Sequence, residues 1–315
     1  MSNSLRTFAC AALVMAASSM PAMSENRGVT YHWYEDAAHN PSTWAEYFQQ
    51  HAQIELGPER RLPNGVSWRL QTDRVSRLAY PRLTWMPDRK RMLVANRLLD
   101  GAHGAELLVE SELQGSRERS NETAVALTGK PFTSATGPVL KQWNVDLTYV
   151  GKRLMSVQTS AIENIGASHP PTYLRGLTFD LQAETIVELG RCPGRPPDIY
   201  AGPFRYGELL DLCDPARYRD FIALVRQIDL RNGPRRVGQP AKDRPEGCLD
   251  WPDQPLFRED QEYVVYLTFT GLAVQAAGGD CPVEPTPGNP VIVPYRKLMP
   301  FMQPGSWRDE LLSLD

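Results

Sequence analysis

The chain has 315 residues, 42% of them hydrophobic and 23% charged, too apolar for a disordered chain and long enough to bury one large core or two smaller ones. Its formal net charge is −3, so no global positive field draws it to nucleic acid or to an anionic membrane. The 34 basic residues form no stripe interleaved with aromatics, which argues against a single-strand binding surface.

Residues 1–24 read as a secretory signal. Arg6 supplies a short charged start, TFACAALVMAAS an apolar run, and Ala22 to Ser24 a small-residue cleavage site before Glu25. The run falls short of the roughly 20 residues that span a bilayer, so export and cleavage are expected, with no integral membrane segment. The expected location is periplasmic or secreted. Beyond the signal stand Cys192, Cys213, Cys248 and Cys281, an even set suited to disulfides in an oxidising space. Three pairings are open. Cys192 with Cys213 and Cys248 with Cys281 is preferred, since each closes a loop of a few tens of residues, worth roughly 3 kcal/mol. No closely spaced cysteine pair points to zinc, and no metal or cofactor is expected.

Residues 25–79 form an N-terminal extension with one helix. In STWAEYFQQHAQIEL, Trp44, Tyr47, Phe48 and His51 recur at helical spacing, and Thr43 with Glu46 resembles a capping box. His51 lies on the aromatic face and reads as a packed histidine. Short strands are expected from Gly65 to Met86. Met92, Ala95, Leu98 and Leu99 then mark an amphipathic helix, and His103 in DGAHG reads as a solvated turn residue. Trp143, Val145, Leu147 and Tyr149 alternate, turn near Gly151 and resume at Leu154, a hairpin.

Farther along, GRCPGRPPDIYAGPFRYGELL is an irregular loop. Asp214 and Pro215 suit the N-cap and first turn of a helix whose apolar face is Tyr218, Phe221, Ile222, Val225 and Ile228. A second loop, NGPRRVGQPAKDRPEG, precedes a strand, a turn at Gly271 and another strand in EYVVYLTFTGLAVQAA. NPVIVPYRKLMPFM ends the core as an extended run passing into a short helix. Strands cluster around helices without β-α-β alternation, so the fold class is α+β, with mixed, mainly antiparallel sheets packed with helices in two closely associated subdomains. The divisions are an N-terminal α+β subdomain at 80–166, a C-terminal one at 167–305 and a tail at 306–315.

Three stretches in order carry a family resemblance: YPRL with ANRLL, then LMSVQTSAIENIGASHPPTYLRGLTFDL with ETIVELG, then YLTFTGLAVQ with VIVPYRKLMPFM. They resemble the extracytoplasmic domains of RsiV-like proteins, found in a lysozyme-sensing anti-sigma factor and in peptidoglycan deacetylases. The likeness spans roughly residues 80 to 305, and its motifs are structural. It implies an exported recognition module whose partner is peptidoglycan or a cell-wall-active, lysozyme-like protein. Gly166, Ala167, His169 and Asp180 keep parts of the family pattern, whereas AAGGDCPVEPTPGNP departs from the family's loop.

His169 reads first as a turn residue bonded to backbone, next as a ligand contact, and last as a base oriented by Asp180. There is no G-x-S-x-G, H-E-x-x-H, phosphate loop or dinucleotide fingerprint, so no catalytic residue is assigned. Ser156 and Ser168 are plain strand or turn serines. Glu110, Glu112, Asp211 and Asp214 read as solvated or capping charges. Rigid aromatic and guanidinium groups in RPPDIYAGPFRY and CLDWPDQP favour binding. The candidate ligand contacts are His169, Tyr173, Asp180, Tyr200 and Trp251, and the alternatives are a cell-envelope hydrolase or deacetylase using His169 and Asp180, or a structural envelope accessory.

Overall fold

A long inward-facing apolar stripe meeting short alternating strands gives this chain its architecture. The computed structural model describes residues 41–134, 137–163, 172–187, 189, 209–212, 214–231, 263–276 and 290–314. Helix α1, Pro41–His51, opens it, with proline in the first turn where a missing N–H costs nothing. Thr43 therefore stands inside the helix rather than capping it. His51 is exposed, not packed; its ring stacks on Tyr47 with centroids 4.1 Å apart.

Strands β1 (Ile54–Leu56) and β2 (Arg60–Arg61) pair with opposite ends of one edge of β3 (Ser67–Asp73), while β4 (Ala79–Trp85) takes the other edge. Trp68, Tyr80 and Leu83 are buried in one hydrophobic cluster. Helix α2, Arg89–Thr128, then runs 40 residues, about 60 Å. Asp88 caps it, accepting from the Arg91 amide at 3.0 Å. The DGAHG segment is not a turn. Its glycines are tolerated because the segment is wedged between α1 and the sheets, so tertiary packing overrides the ~1 kcal/mol cost of each helical glycine.

The second sheet is β5 (Leu140–Val150), β6 (Leu154–Glu163), β7 (Thr172–Asp180) and β8 (Thr185–Val187), antiparallel in chain order. β6 and β7 pair from Leu154 with Asp180 to Ile162 with Thr172, so the line near residue 166 falls inside one hydrogen-bonded sheet. The sheet has a core on each face. Val145, Leu147, Met155, Val157, Leu177 and Phe179 pack with α2 and the first sheet. Leu154 and Tyr149 face the other core.

Strict alternation would put Tyr149 beside Leu147. A register shift between those two residues leaves Thr148 over, and the bulge turns Tyr149 to the opposite face.

On that second face sits a sheet of β9 (Tyr263–Leu267), β10 (Leu272–Ala276) and β11 (Val291–Val293), again antiparallel, with helix α3 (Pro215–Arg231). Asp214 accepts from the Ala216 amide at 2.8 Å, and Phe221, Ile222, Val225 and Ile228 are buried as the spacing predicts. β9 meets β7 at Gly176, where a Cβ would stand 2.1 Å from the Val265 carbonyl oxygen. Helix α4 (Tyr295–Leu298), a 3-10 turn (Met299–Phe301) and helix α5 (Ser306–Leu312) complete the described fold. Residues 306–312 are thus no tail: Leu311 is fully buried in the second core.

Candidate functional site

Of the predicted ligand contacts, the structure describes Asp180 in full and Tyr173 in its backbone. His169, Tyr200 and Trp251 lie outside the described residues, as do Ser168 and the cysteines 192, 213, 248 and 281. Tyr173 is the second residue of β7, paired with Ala161. Asp180 ends that strand, roughly 27 Å along it from Thr172.

Asp180 is fully buried, and both its oxygens are engaged. Oδ2 accepts from Arg153 Nε at 2.7 Å and from Trp307 Nε1 at 2.9 Å, and lies 2.6 Å from a terminal guanidinium nitrogen of Arg153. Oδ1 accepts from the amides of Gln182 at 2.8 Å and Ala183 at 3.0 Å. Burial would raise its pKa; the Arg153 bonds, then the two amides and the indole, outweigh that and hold the carboxyl below its ordinary value. The Arg153 guanidinium also lies over the Trp307 ring, 5.2 Å from its centroid. Glu310 of α5 extends the node, accepting from Tyr149 hydroxyl at 2.9 Å and from the Arg153 amide at 2.7 Å. The group fastens α5 across the β5–β6 and β7–β8 turns. A carboxylate so occupied is built to hold structure rather than to orient a base.

Ser156 is equally committed. Its Oγ donates to the Leu177 carbonyl at 3.2 Å and accepts from the Leu267 amide at 3.1 Å, tying the two sheets together. Asp211 pairs with Arg217, Asp214 caps α3, and Glu112 is exposed, as expected of such charges. Glu110 differs: it is 1% exposed and accepts from the Val139 amide and from Gln114 Nε2, each at 2.6 Å.

Glu110 belongs to a row that the sequence reading missed. Asn96, Asp100, His103, Glu106 and Glu110 follow one another at helical spacing along α2, and all are buried. That spacing was legible; its burial was hidden because a polar row ordinarily marks a solvated face. Asn96 exchanges bonds with the Leu83 backbone, accepting at 2.8 Å and donating at 3.0 Å. Asp100 accepts from Gln71 Nε2 at 2.7 Å and pairs with Arg82 at 3.2 Å. Burial raises the Asp100 pKa, and Gln71 and Arg82 only partly offset it. Glu106 pairs with Arg175 of β7 at 2.9 Å.

His103 is the exception in this row. It is fully buried, not solvated, because α1 lies over it: the Phe48 ring is 4.5 Å away and the Tyr80 ring 5.1 Å, centroid to centroid. Neither ring nitrogen has a hydrogen-bond partner among the described residues. Burial pushes its pKa down to about 3, although the Asp73 carboxylate and the Leu78 backbone favour the charged ring.

Among the described residues no three His, Cys, Asp or Glu side chains are grouped to hold a metal ion, and no helix is long and apolar enough to cross a membrane. No protein-family model matches the chain, nor does any curated protein. Solved structures do. Two of them are DUF3298 proteins. One member of that family, from Bacteroides fragilis, aligns at 12% identity with a TM-score of 0.45, covering 84% of this chain and 98% of its own. Another, from Pseudomonas aeruginosa PAO1, aligns at 14% identity with a TM-score of 0.34, covering 80% and 92%.

Proposed function

We propose that this chain is an exported, non-catalytic recognition protein of the cell envelope, and that its partner is peptidoglycan or a lysozyme-like protein acting on it. The partner class rests on the RsiV-like resemblance of the sequence. One geometric observation supports a recognition role. Segments 190–208, 232–262 and 277–289 all spring from a single hydrophobic cluster, whose members include Leu189 and Leu209, Ile228 and Tyr263, and Val274 and Val291. The first carries Tyr200 and the second Trp251, side chains of the type that dominates interface energetics. One hydrophobic core thus flanks the two segments that carry Tyr200 and Trp251.

The test is a saturation binding assay of the mature protein against solubilised peptidoglycan fragments and against lysozyme. Saturable binding to either is expected, weakened about 30-fold by Tyr200→Ala or Trp251→Ala, as removal of a hot-spot aromatic would do. Absence of saturable binding to both overturns the reading.

A further inference from the structure

We propose that His103 is an acid-sensitive latch beneath helix α1: when its ring takes up a proton, α1 leaves α2 while the sheets stay folded.

The geometry sets α1 as a lid. At Gly104 a Cβ would stand 2.2 Å from the Trp44 carbonyl oxygen, so the backbone of α1 lies directly against α2 beside the histidine. Ala45 and Phe48 are buried among the described side chains of α1, and Phe48 belongs to a small satellite cluster with Leu78, Leu107 and Ala161. An 11-residue helix is not stable in water by itself, so α1 depends on this docking.

Under it, a charged imidazole has little to meet it beyond the Leu78 backbone. From β3, Asp73 faces the ring, but its carboxylate already accepts from the Gln53 amide at 2.7 Å and from the Ser76 amide and hydroxyl at 2.7 and 2.8 Å. From β4 comes the Tyr80 phenol, kept neutral by burial. On α2 itself, Asp100 is paired with Arg82 and Glu106 with Arg175, a cation reaching in from β7. α1 contributes Phe48, and its titratable groups, Glu46, Tyr47 and His51, do not join the buried set. An imidazolium there would hold two N–H donors in an aromatic slot, whereas opening α1 lets water solvate it.

The consequence follows from proton linkage. With α1 open the ring titrates near the ordinary value of 6.5; with α1 shut it resists protonation down to about 3. Between those limits the opening equilibrium rises by about tenfold for each pH unit lost.

Hydrogen exchange on the full chain from pH 7 to 4, corrected for intrinsic amide rates, tests this. Amide protection in 44–51 is expected to fall about tenfold per unit below pH 6 and to be lost while β5–β7 amides are still protected. His103→Phe, which fits the aromatic slot, and His103→Leu, in case that ring packs poorly, should both abolish the slope, and His51→Gln should leave it intact. A pH-independent α1, an equal slope in the His103 variants, its loss in His51→Gln, or simultaneous loss of protection in α1 and β5–β7 would each overturn the latch.

Discussion

Two carboxylates in this protein are buried alike and behave oppositely. At Asp180 five donated contacts outweigh burial, and the carboxyl stays below its usual range; at Asp100 burial wins, and the group is raised. Asp180→Asn strips charge from a fully buried acceptor facing Arg153, so it should cost on the order of 3 kcal/mol. Asp100→Asn keeps an acceptor for Gln71 and should cost about 1 kcal/mol or less. Urea midpoints at pH 7 compare them directly. The pH windows differ too. Asp180, with a depressed folded pKa, contributes stability that is present above about 3.8 and lost as pH falls through its lower folded value. His103, also depressed, gives a stability that is complete above 6.5 and declines toward pH 3, by about 1.4 kcal/mol per unit. Urea titrations should therefore show a decline beginning near pH 6 that His103→Leu removes, with the Asp180 loss following only in stronger acid.

Helix α2 shows how an element can exceed what its sequence advertises. Its apolar start at Met92, Ala95, Leu98 and Leu99 is plain, but DGAHG carries two glycines that a local reading turns into a break. Gly104 is there for contact, since any side chain meets the Trp44 backbone. Gly104→Val should accordingly free α1 without melting α2; proteolysis near residues 41–51 should quicken at least tenfold while helical circular dichroism stays nearly constant. Strand β5 makes the complementary point. Its alternation is visible in Val145, Leu147 and Tyr149, yet the bulge at Thr148 reassigns Tyr149 to Glu310 and the opposite core. Periodicity locates a strand, but a single extra residue in the ladder changes which face follows.

Across the whole molecule, the β5–β8 sheet makes the two halves interdependent. Both cores rest on it, and Ser156 and Gly176 are its contact points with β9. Gly176→Leu should push β9 away from the Val265 carbonyl contact and cost about 3 kcal/mol, an overpacking penalty measurable by thermal unfolding. Separate fragments 41–163 and 172–314 should fail to fold, because parting β6 from β7 exposes a full row of amides and carbonyls; near-native circular dichroism from either alone would contradict this.

Local chemistry sufficed to read α3 from Asp214 and its apolar spacing, the β5–β6 and β9–β10 hairpins from alternation around Gly151 and Gly271, and the α+β class from the order of elements. Those features arise from neighbours in the chain, so the chain announces them. The burial of His103 and Glu110, the use of Asp180 and residues 306–312 as a structural clamp, and the flipped face of Tyr149 depend on what arrives from 27 to 161 positions away. A polar residue looks the same in sequence whether water or another element covers it, and only the packing decided which.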